Sequence, residues 1–461
     1  MPIQAAFIVP HPPLIIPEIG KGDEKQIQNT ATAFDTVAKR IAELKPQTII
    51  VISPHGVMFS DFFHISPGPG GRGDMSRFRA PQIVIRKKYD SPFIYAICDA
   101  AKKKGVPAGV SGQKDPSIDH ATLIPLYFVD KYYTDYEVVR ISISGLTPQE
   151  HYSFGECISE AARVMDRNVV ILSSGDLSHR LGKGSPYGFS EEGPVFDRQI
   201  TKAMSSANFM NFMTFDPAFL EEASECGLRS FIVMAGALDG LSVRSTLLSY
   251  EGPFGVGYAV CSFDPIAADE SRHFGARLVA QREKIVKSIR EGEDIYVQLA
   301  RIALETFVKT RERLPVPFDL PEELLDAKAG CFVTIKKEGR LRGCIGTIVP
   351  HTSCLAEEII HNAISSGTKD PRFDSISTQE LASLEYSVDV LKPPEKISDK
   401  ADLDPKRYGV IVRNGMRQGL LLPNLDGVDT VDKQIEIALQ KAYLSPNDTY
   451  EMERFEVVRH K

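Results

Sequence analysis

Unbroken apolar runs alternate with amphipathic stretches over the first 262 residues of the chain. Runs at 5–9, 48–53, 82–86, 137–143, 168–173, 244–248 and 256–262 predict strands, and stretches at 24–44, 92–104, 150–165, 192–206 and 227–238 predict helices. Runs without polar alternation belong to strands covered on both faces. Their alternation with helices predicts a layered α/β domain. The pattern changes after Asp264-Pro265. A helical stretch from Tyr296 to Lys309 is followed by one hairpin turning at Lys337-Glu338-Gly339 and another at Asn414-Gly415, where Asn-Gly supplies the positive φ angles of a tight turn. These features predict a smaller α+β domain. The boundaries read as a first domain over 1–265, a linker over 266–284 and a second domain over 285–461. The segment Ser66-Pro67-Gly68-Pro69-Gly70-Gly71-Arg72-Gly73-Asp74 reads as a mobile cover beside His55, too rich in glycine and proline for a strand.

Two of the apolar runs end alike, in Val9-Pro10-His11-Pro12 and in Ser53-Pro54-His55-Gly56. Proline cannot continue a central strand, so each strand is expected to stop where its histidine begins. The carboxyl ends of strands in open α/β sheets are where ligands bind. Two imidazoles at equivalent strand ends therefore suggest a metal site. Ferrous sites that hold substrate and oxygen together use two histidines and one carboxylate. Glu225 is the best carboxylate, at the threshold of an apolar helix whose N–H groups favour an anion. From spacing alone it reads more readily as a helix-capping glutamate with no metal. His179 ends a third apolar run and His120 sits in Asp119-His120-Ala121-Thr122. A neutral imidazole near a metal is suited to take a phenolic proton and return it. His64, His151, His273, His351, His361 and His460 show no comparable placement. The chain has no Gly-x-Ser-x-Gly elbow, P-loop or dinucleotide fingerprint.

Composition narrows the class. A length of 461 residues suggests two or three domains. The net charge of −7 leaves no basic stripe for nucleic acid or an anionic membrane. The runs Arg86-Lys87-Lys88 and Lys102-Lys103-Lys104 read as solvated element ends rather than phosphate sites. The start lacks the charged region and cleavage site of a signal peptide, and no apolar run approaches the ~18 residues that span a bilayer, so the expected location is the cytoplasm. Seven widely spaced cysteines without a Cys-x-x-Cys pair fit a reducing compartment.

Five motifs, in order, resemble a known family. Val9-Pro10-His11-Pro12-Pro13, Ser53-Pro54-His55-Gly56, Asp119-His120-Ala121, Gly175-Asp176-Leu177-Ser178-His179 and Glu225-Cys226-Gly227 make the first ~265 residues similar to the class III extradiol ring-cleavage dioxygenases, the LigB-like fold that includes the Memo-like proteins. The resemblance implies ferrous iron on His11, His55 and Glu225, His179 as acid–base, His120 lining the pocket, and a small aromatic substrate opened with O2. Cys226-Gly227 is equally similar to Memo-like proteins, which have a cysteine at the site and no established ring-cleaving role. Both Glu225 and Cys226 thus stand as third ligand, and zinc also suits such donors. Residues 285–461 resemble the AMMECR-one domain through Leu341-Arg342-Gly343-Cys344-Ile345-Gly346, His361-Asn362-Ala363, Asp370-Pro371-Arg372-Phe373 and Tyr408-Gly409-Val410-Ile411-Val412. There the Cys344 thiol reads as a buried strand residue. The two halves in one chain resemble the AmmeMemoRadiSam system protein A family, named for its association with a radical S-adenosylmethionine enzyme, which implies such an enzyme as partner. It also implies an alternative role, a metal-binding redox protein without ring cleavage of its own.

Overall fold

The apolar runs of the first half become the strands of one sheet: Ile3–Val9 (β1), Thr48–Ser53 (β2), Glu137–Ser142 (β3), Val169–Ser174 (β4), Leu241–Glu251 (β5) and Tyr258–Ala268 (β6). Every side chain of β2 and β4 is buried, as their lack of polar alternation requires. The sheet order is β3-β2-β4-β1-β6-β5, parallel from β3 to β1, with β6 and β5 added antiparallel. The structure is a computed structural model and describes residues 1–112, 116–425 and 427–461. The chain divides into two units, Met1–Leu278 and Val279–Lys461. Helices Gln28–Leu44 (α1) and His120–Val129 (α3) pack together against the sheet, while Ser91–Lys104 (α2), Pro148–Val164 (α4) and Leu228–Ala237 (α5) form a second packed group, giving the layered α/β/α arrangement. A helix over Phe274–Gly292 follows β6. Among the described residues no helix is long and apolar enough to cross a membrane.

Strand β4 lies between β2 and β1, with Val9 opposite Ser174 and Ile52 opposite Ser173. The three parallel strands therefore end level, and the segments after Val9, Ser53 and Ser174 emerge side by side. That order brings His11, His55 and Gly175–His179 together.

The expected mobile cover over 66–74 is not what forms. Gly70–Met75 is a strand, paired antiparallel with Ala80–Lys88. Its glycines allow close approach, since a Cβ at Gly73 would meet the Ile118 carbonyl and one at Gly71 the Tyr89 hydroxyl. Buried Arg140 on β3 donates to the Ser66 hydroxyl (2.7 Å) and to the Ser117 carbonyl, anchoring the flanks of this hairpin.

His151 on α4 is fully buried. Its Nδ1–H donates to the Thr147 carbonyl (2.9 Å), its Nε2 accepts from the Ser144 N–H (3.4 Å), and its ring meets Phe63 edge-on at 4.7 Å. Burial lowers its pKa to about 4. A histidine depressed in the folded state takes up its proton first in the unfolded chain, so its contribution to stability is lost as pH falls from about 6.5 towards 4. Replacing it with leucine is expected to remove up to about 3 kcal/mol of the stability lost across that window. Denaturation at pH 4.5 and 7 checks this, and an unchanged pH slope in His151→Leu would show that the ring is not held neutral.

In the second unit, Cys331–Lys337 (β7) and Arg340–Gly346 (β8) form the first expected hairpin, with Glu338 and Gly339 at φ 55° and 73°. Leu384–Leu391 (β9), Gly409–Asn414 (β10), Arg417–Leu421 (β11), Glu451–Phe455 (β12) and Val457–His460 (β13) complete two sheets, ordered β8-β7-β9-β13 and, after the short strand Glu395–Ile397, β12-β10-β11. The Asn414-Gly415 turn joins β10 to β11. Helices Ile295–Thr310 (α6) and Leu355–Thr368 (α7) pack together, and Val431–Lys441 (α8) packs on β10 and β11, giving the smaller α+β domain. Cys344 is a half-buried strand thiol raised in pKa by burial. Asp370, in Asp-Pro-Arg, accepts the Cys344 N–H (2.9 Å) and binds the Arg372 guanidinium (2.7 Å).

Candidate metal centre

Among the described residues, His11, His55 and Cys226 each offer one ligand atom, all within 4.8 Å of one another. The Nε2 atoms of His11 and His55 are 3.1 Å apart, and Cys226 Sγ is 3.7 Å from His11 Nε2. A tetrahedral ion with metal–nitrogen bonds near 2.05 Å and a metal–sulfur bond near 2.3 Å needs separations of about 3.3 and about 3.6 Å. The two observed separations are close to what a transition-metal ion needs, with the third pair, His55 and Cys226, within 4.8 Å, and nitrogen with thiolate sulfur suits zinc, copper or iron rather than calcium or magnesium.

Each ligand is held by a neighbour. His11 Nδ1 lies 3.1 Å from the Ser174 hydroxyl, which leaves Nε2 for a metal. The His11 backbone N–H donates to Asp176 Oδ1 (2.7 Å), and Asp176 Oδ2 is 3.8 Å from His11 Nε2. The His55 N–H donates to Ser53 Oγ (3.1 Å), which donates to Asp119 Oδ1 (2.6 Å), and Asp119 caps α3 through the Thr122 N–H (3.0 Å). Cys226 Sγ accepts from the Asp176 N–H (3.3 Å).

The segment carrying Cys226 is tied to the end of β4 by a bridge between Ser178 and Glu225 and by the Gly227 N–H, which donates to the Asp176 carbonyl (3.1 Å). The two backbones cross so closely that a Cβ on Gly175 would collide with Gly227. At this crossing Cys226 faces the histidines while Glu225 faces α5, its Oε2 accepting the Leu228 N–H at 2.6 Å. Glu225 thus lies outside the cluster and performs the capping role that the sequence also allowed.

Burial sets the electrostatics. It lowers His11 well below the ordinary histidine value, helped by His55, His120 and His179, and it lowers His55 against the opposing Asp119 charge. It raises Asp176 and Glu225 to about 7 and the Cys226 thiol well above its usual range. Neutral imidazoles are ready ligands, whereas the thiol must give up its proton when a cation binds.

The remaining expected residues surround this cluster. The His120 ring lies 4.6 Å from that of His55, 5.4 Å from His11 and 5.5 Å from Phe78, and burial with the adjacent His55 lowers its pKa to about 4. The His179 Nδ1–H donates to the Ser224 carbonyl (2.8 Å), and its ring is 5.8 Å from Tyr187. Burial lowers its pKa as well. Asp176, Ser174 and Ser53 received no role from the sequence. For Asp176 the available signal was its place directly after an apolar strand, beside His179.

Comparison with known proteins adds to this geometry. The family described as the catalytic LigB subunit of aromatic ring-opening dioxygenase matches residues 5–261, and the AMMECR1 family matches residues 297–460. Protein CA_C1420 of Clostridium acetobutylicum is 40% identical over 469 residues, covering 100% of both chains. A Thermotoga maritima protein is 47% identical over 172 residues, covering 37% of this chain and 99% of its own. The crystal structure of uncharacterized protein JW3007 from Escherichia coli K12 covers 56% of this chain and 99% of that one, at 13% identity and a TM-score of 0.37.

Proposed function

We propose, from the premise that this chain belongs to the family of the catalytic LigB subunit of aromatic ring-opening dioxygenases over residues 5–261 and to the AMMECR1 family over 297–460, that it is a metal-dependent oxidoreductase of the extradiol type acting on a small catecholic or phenolic molecule with O2. The observation that carries this reading is the convergence of His11, His55 and Cys226 at level strand ends, with His179 and His120 beside them. Two imidazoles and one thiolate carry the same single negative charge as two imidazoles and one carboxylate. The donor set therefore keeps the charge of ferrous sites that leave positions open for substrate and oxygen.

His11, His55 and Cys226 would hold the ion. When bound there, a ferrous ion would supply the redox chemistry for opening a ring carbon–carbon bond with both atoms of O2 entering the product. The chain's own residues manage position and protons. Because a carbonyl only accepts, the bond from His179 to Ser224 fixes the proton on Nδ1 and leaves a lone pair on Nε2. Nε2 takes the phenolic proton and later returns it to the oxygen of the cleaved ring. The His120 ring, with Phe78 5.5 Å from it, stands beside His55 where it would line the substrate's side of the site.

The test is anaerobic purification followed by metal analysis and O2 uptake. About one ferrous ion per chain and uptake with some catechol are expected. Equal inertness of the metal-free and iron-loaded forms towards a broad panel of catechols and phenols overturns ring cleavage.

The position of Cys226 favours a second reading, a thiolate-ligated metal-binding or redox protein that serves a radical S-adenosylmethionine enzyme. Bound metal, no oxygen uptake and stimulation of such an enzyme would distinguish it.

A further inference from the structure

The basic run Arg86-Lys87-Lys88 reads from sequence as a solvated strand end, but the fold folds it into a cavity of about 920 Å³ with Lys45 and Arg167. These residues come from separate segments: the end of α1, the strand Ala80–Lys88 and the loop before β4. The cavity opens at the amino ends of β2, β3 and β4, next to Gln47 and Glu137. The metal centre lies at the carboxyl ends of the same strands, so six residues of strand put the two sites roughly 20 Å apart.

Two of the five cations are already fixed. Arg167 donates through Nε and Nη2 to the fully buried Asp90 (2.9 Å each), which aims the guanidinium and leaves its other N–H groups free of that carboxylate. Lys87 Nζ sits 2.6 Å from Asp130 and 3.9 Å above the Tyr136 ring, and Tyr136 stacks on Tyr133. Lys45, Arg86 and Lys88 form no ion pair with another of the described residues. Asp135 and Glu137 are the two carboxylates lining the cavity, set against the three cations that Asp90 and Asp130 do not already pair, in a chain of net charge −7. Cations gathered in a concave site, one of them a guanidinium held in place, attract clustered negative charge.

We propose that this cavity binds a small molecule carrying at least two linked phosphoryl groups, with Arg86, Lys88 and Lys45 as the free cations and Arg167 as the fixed one. Its size suits a small molecule, and the overall acidity of the chain disfavours a nucleic-acid strand.

Isothermal titration of the full-length protein with inorganic pyrophosphate and with orthophosphate tests this. Pyrophosphate is expected to bind one site per chain, about tenfold or more tighter than orthophosphate. It should weaken at least about tenfold in Arg86→Ala/Lys88→Ala, and stay unchanged in the control Lys102→Ala/Lys103→Ala and in His55→Ala. Circular dichroism establishes that the variants are folded. Absence of binding, affinity unaltered in Arg86→Ala/Lys88→Ala, or binding that disappears in His55→Ala and so belongs to the metal centre, overturns the proposal. None of these outcomes depends on ring-cleaving activity.

Discussion

Cys226→Ala is expected to strip the metal from the protein, while Glu225→Gln leaves it loaded. The expectation follows from where the two adjacent side chains point. Cys226 Sγ lies 3.7 Å from His11 Nε2 and within 4.8 Å of both ligating nitrogens. Removing it takes one of three donors and the only anionic one, leaving two neutral imidazoles for a dication. Changes to the supporting residues of metal sites alone cost about 10–100-fold in affinity, and loss of a direct ligand exceeds that. Glu225 instead accepts the Leu228 N–H at 2.6 Å. Glutamine keeps an oxygen for that bond, so the variant should fold and retain the ion, with at most the loss of the charge–dipole attraction at the start of α5. Metal analysis of anaerobically prepared wild type and both variants, with thermal denaturation to establish folding, decides the matter. Metal lost from a folded Glu225→Gln and kept in Cys226→Ala would falsify the assignment and restore the carboxylate as third ligand.

How much of this site was legible in the sequence differs by ligand. His11 and His55 follow apolar runs that a proline terminates, and strand ends are set by local rules: the missing proline N–H and the burial pattern. The choice between Glu225 and Cys226 is not local. It depends on a two-stranded crossing of Gly175 and Gly227, and on a bridge between Ser178 and Glu225 that turns one side chain to α5 and its neighbour to the histidines. Asp176 was equally hidden, because its contact with His11 exists only once β4 inserts between β1 and β2. The glycine-rich 70–75 segment misled for a related reason. Its glycines look like flexibility in sequence, whereas in the fold they are the price of close approach by Ile118 and Tyr89.

The second large effect concerns proton transfer. His179→Ala is expected to lower kcat by about 10²–10⁴-fold with the metal retained, measured with whichever catechol supports O2 uptake. The residue is half-buried and outside the His11, His55 and Cys226 cluster, so its loss removes no donor. Its pH signature follows from burial, which lowers the His179 pKa. A base must be unprotonated to act. The wild-type rate should therefore rise with pH through a limb centred below about 6.5, the ordinary histidine value, and level off above it. That limb should vanish in His179→Ala, and added imidazole should restore part of the rate, because a free base can occupy the space left by the ring. A merely structural histidine would not give both results, since imidazole does not repair misplaced backbone and a packing defect leaves the limb in place. An unchanged acid limb in the variant, or loss of the metal with the ring, removes His179 from the proton-transfer role.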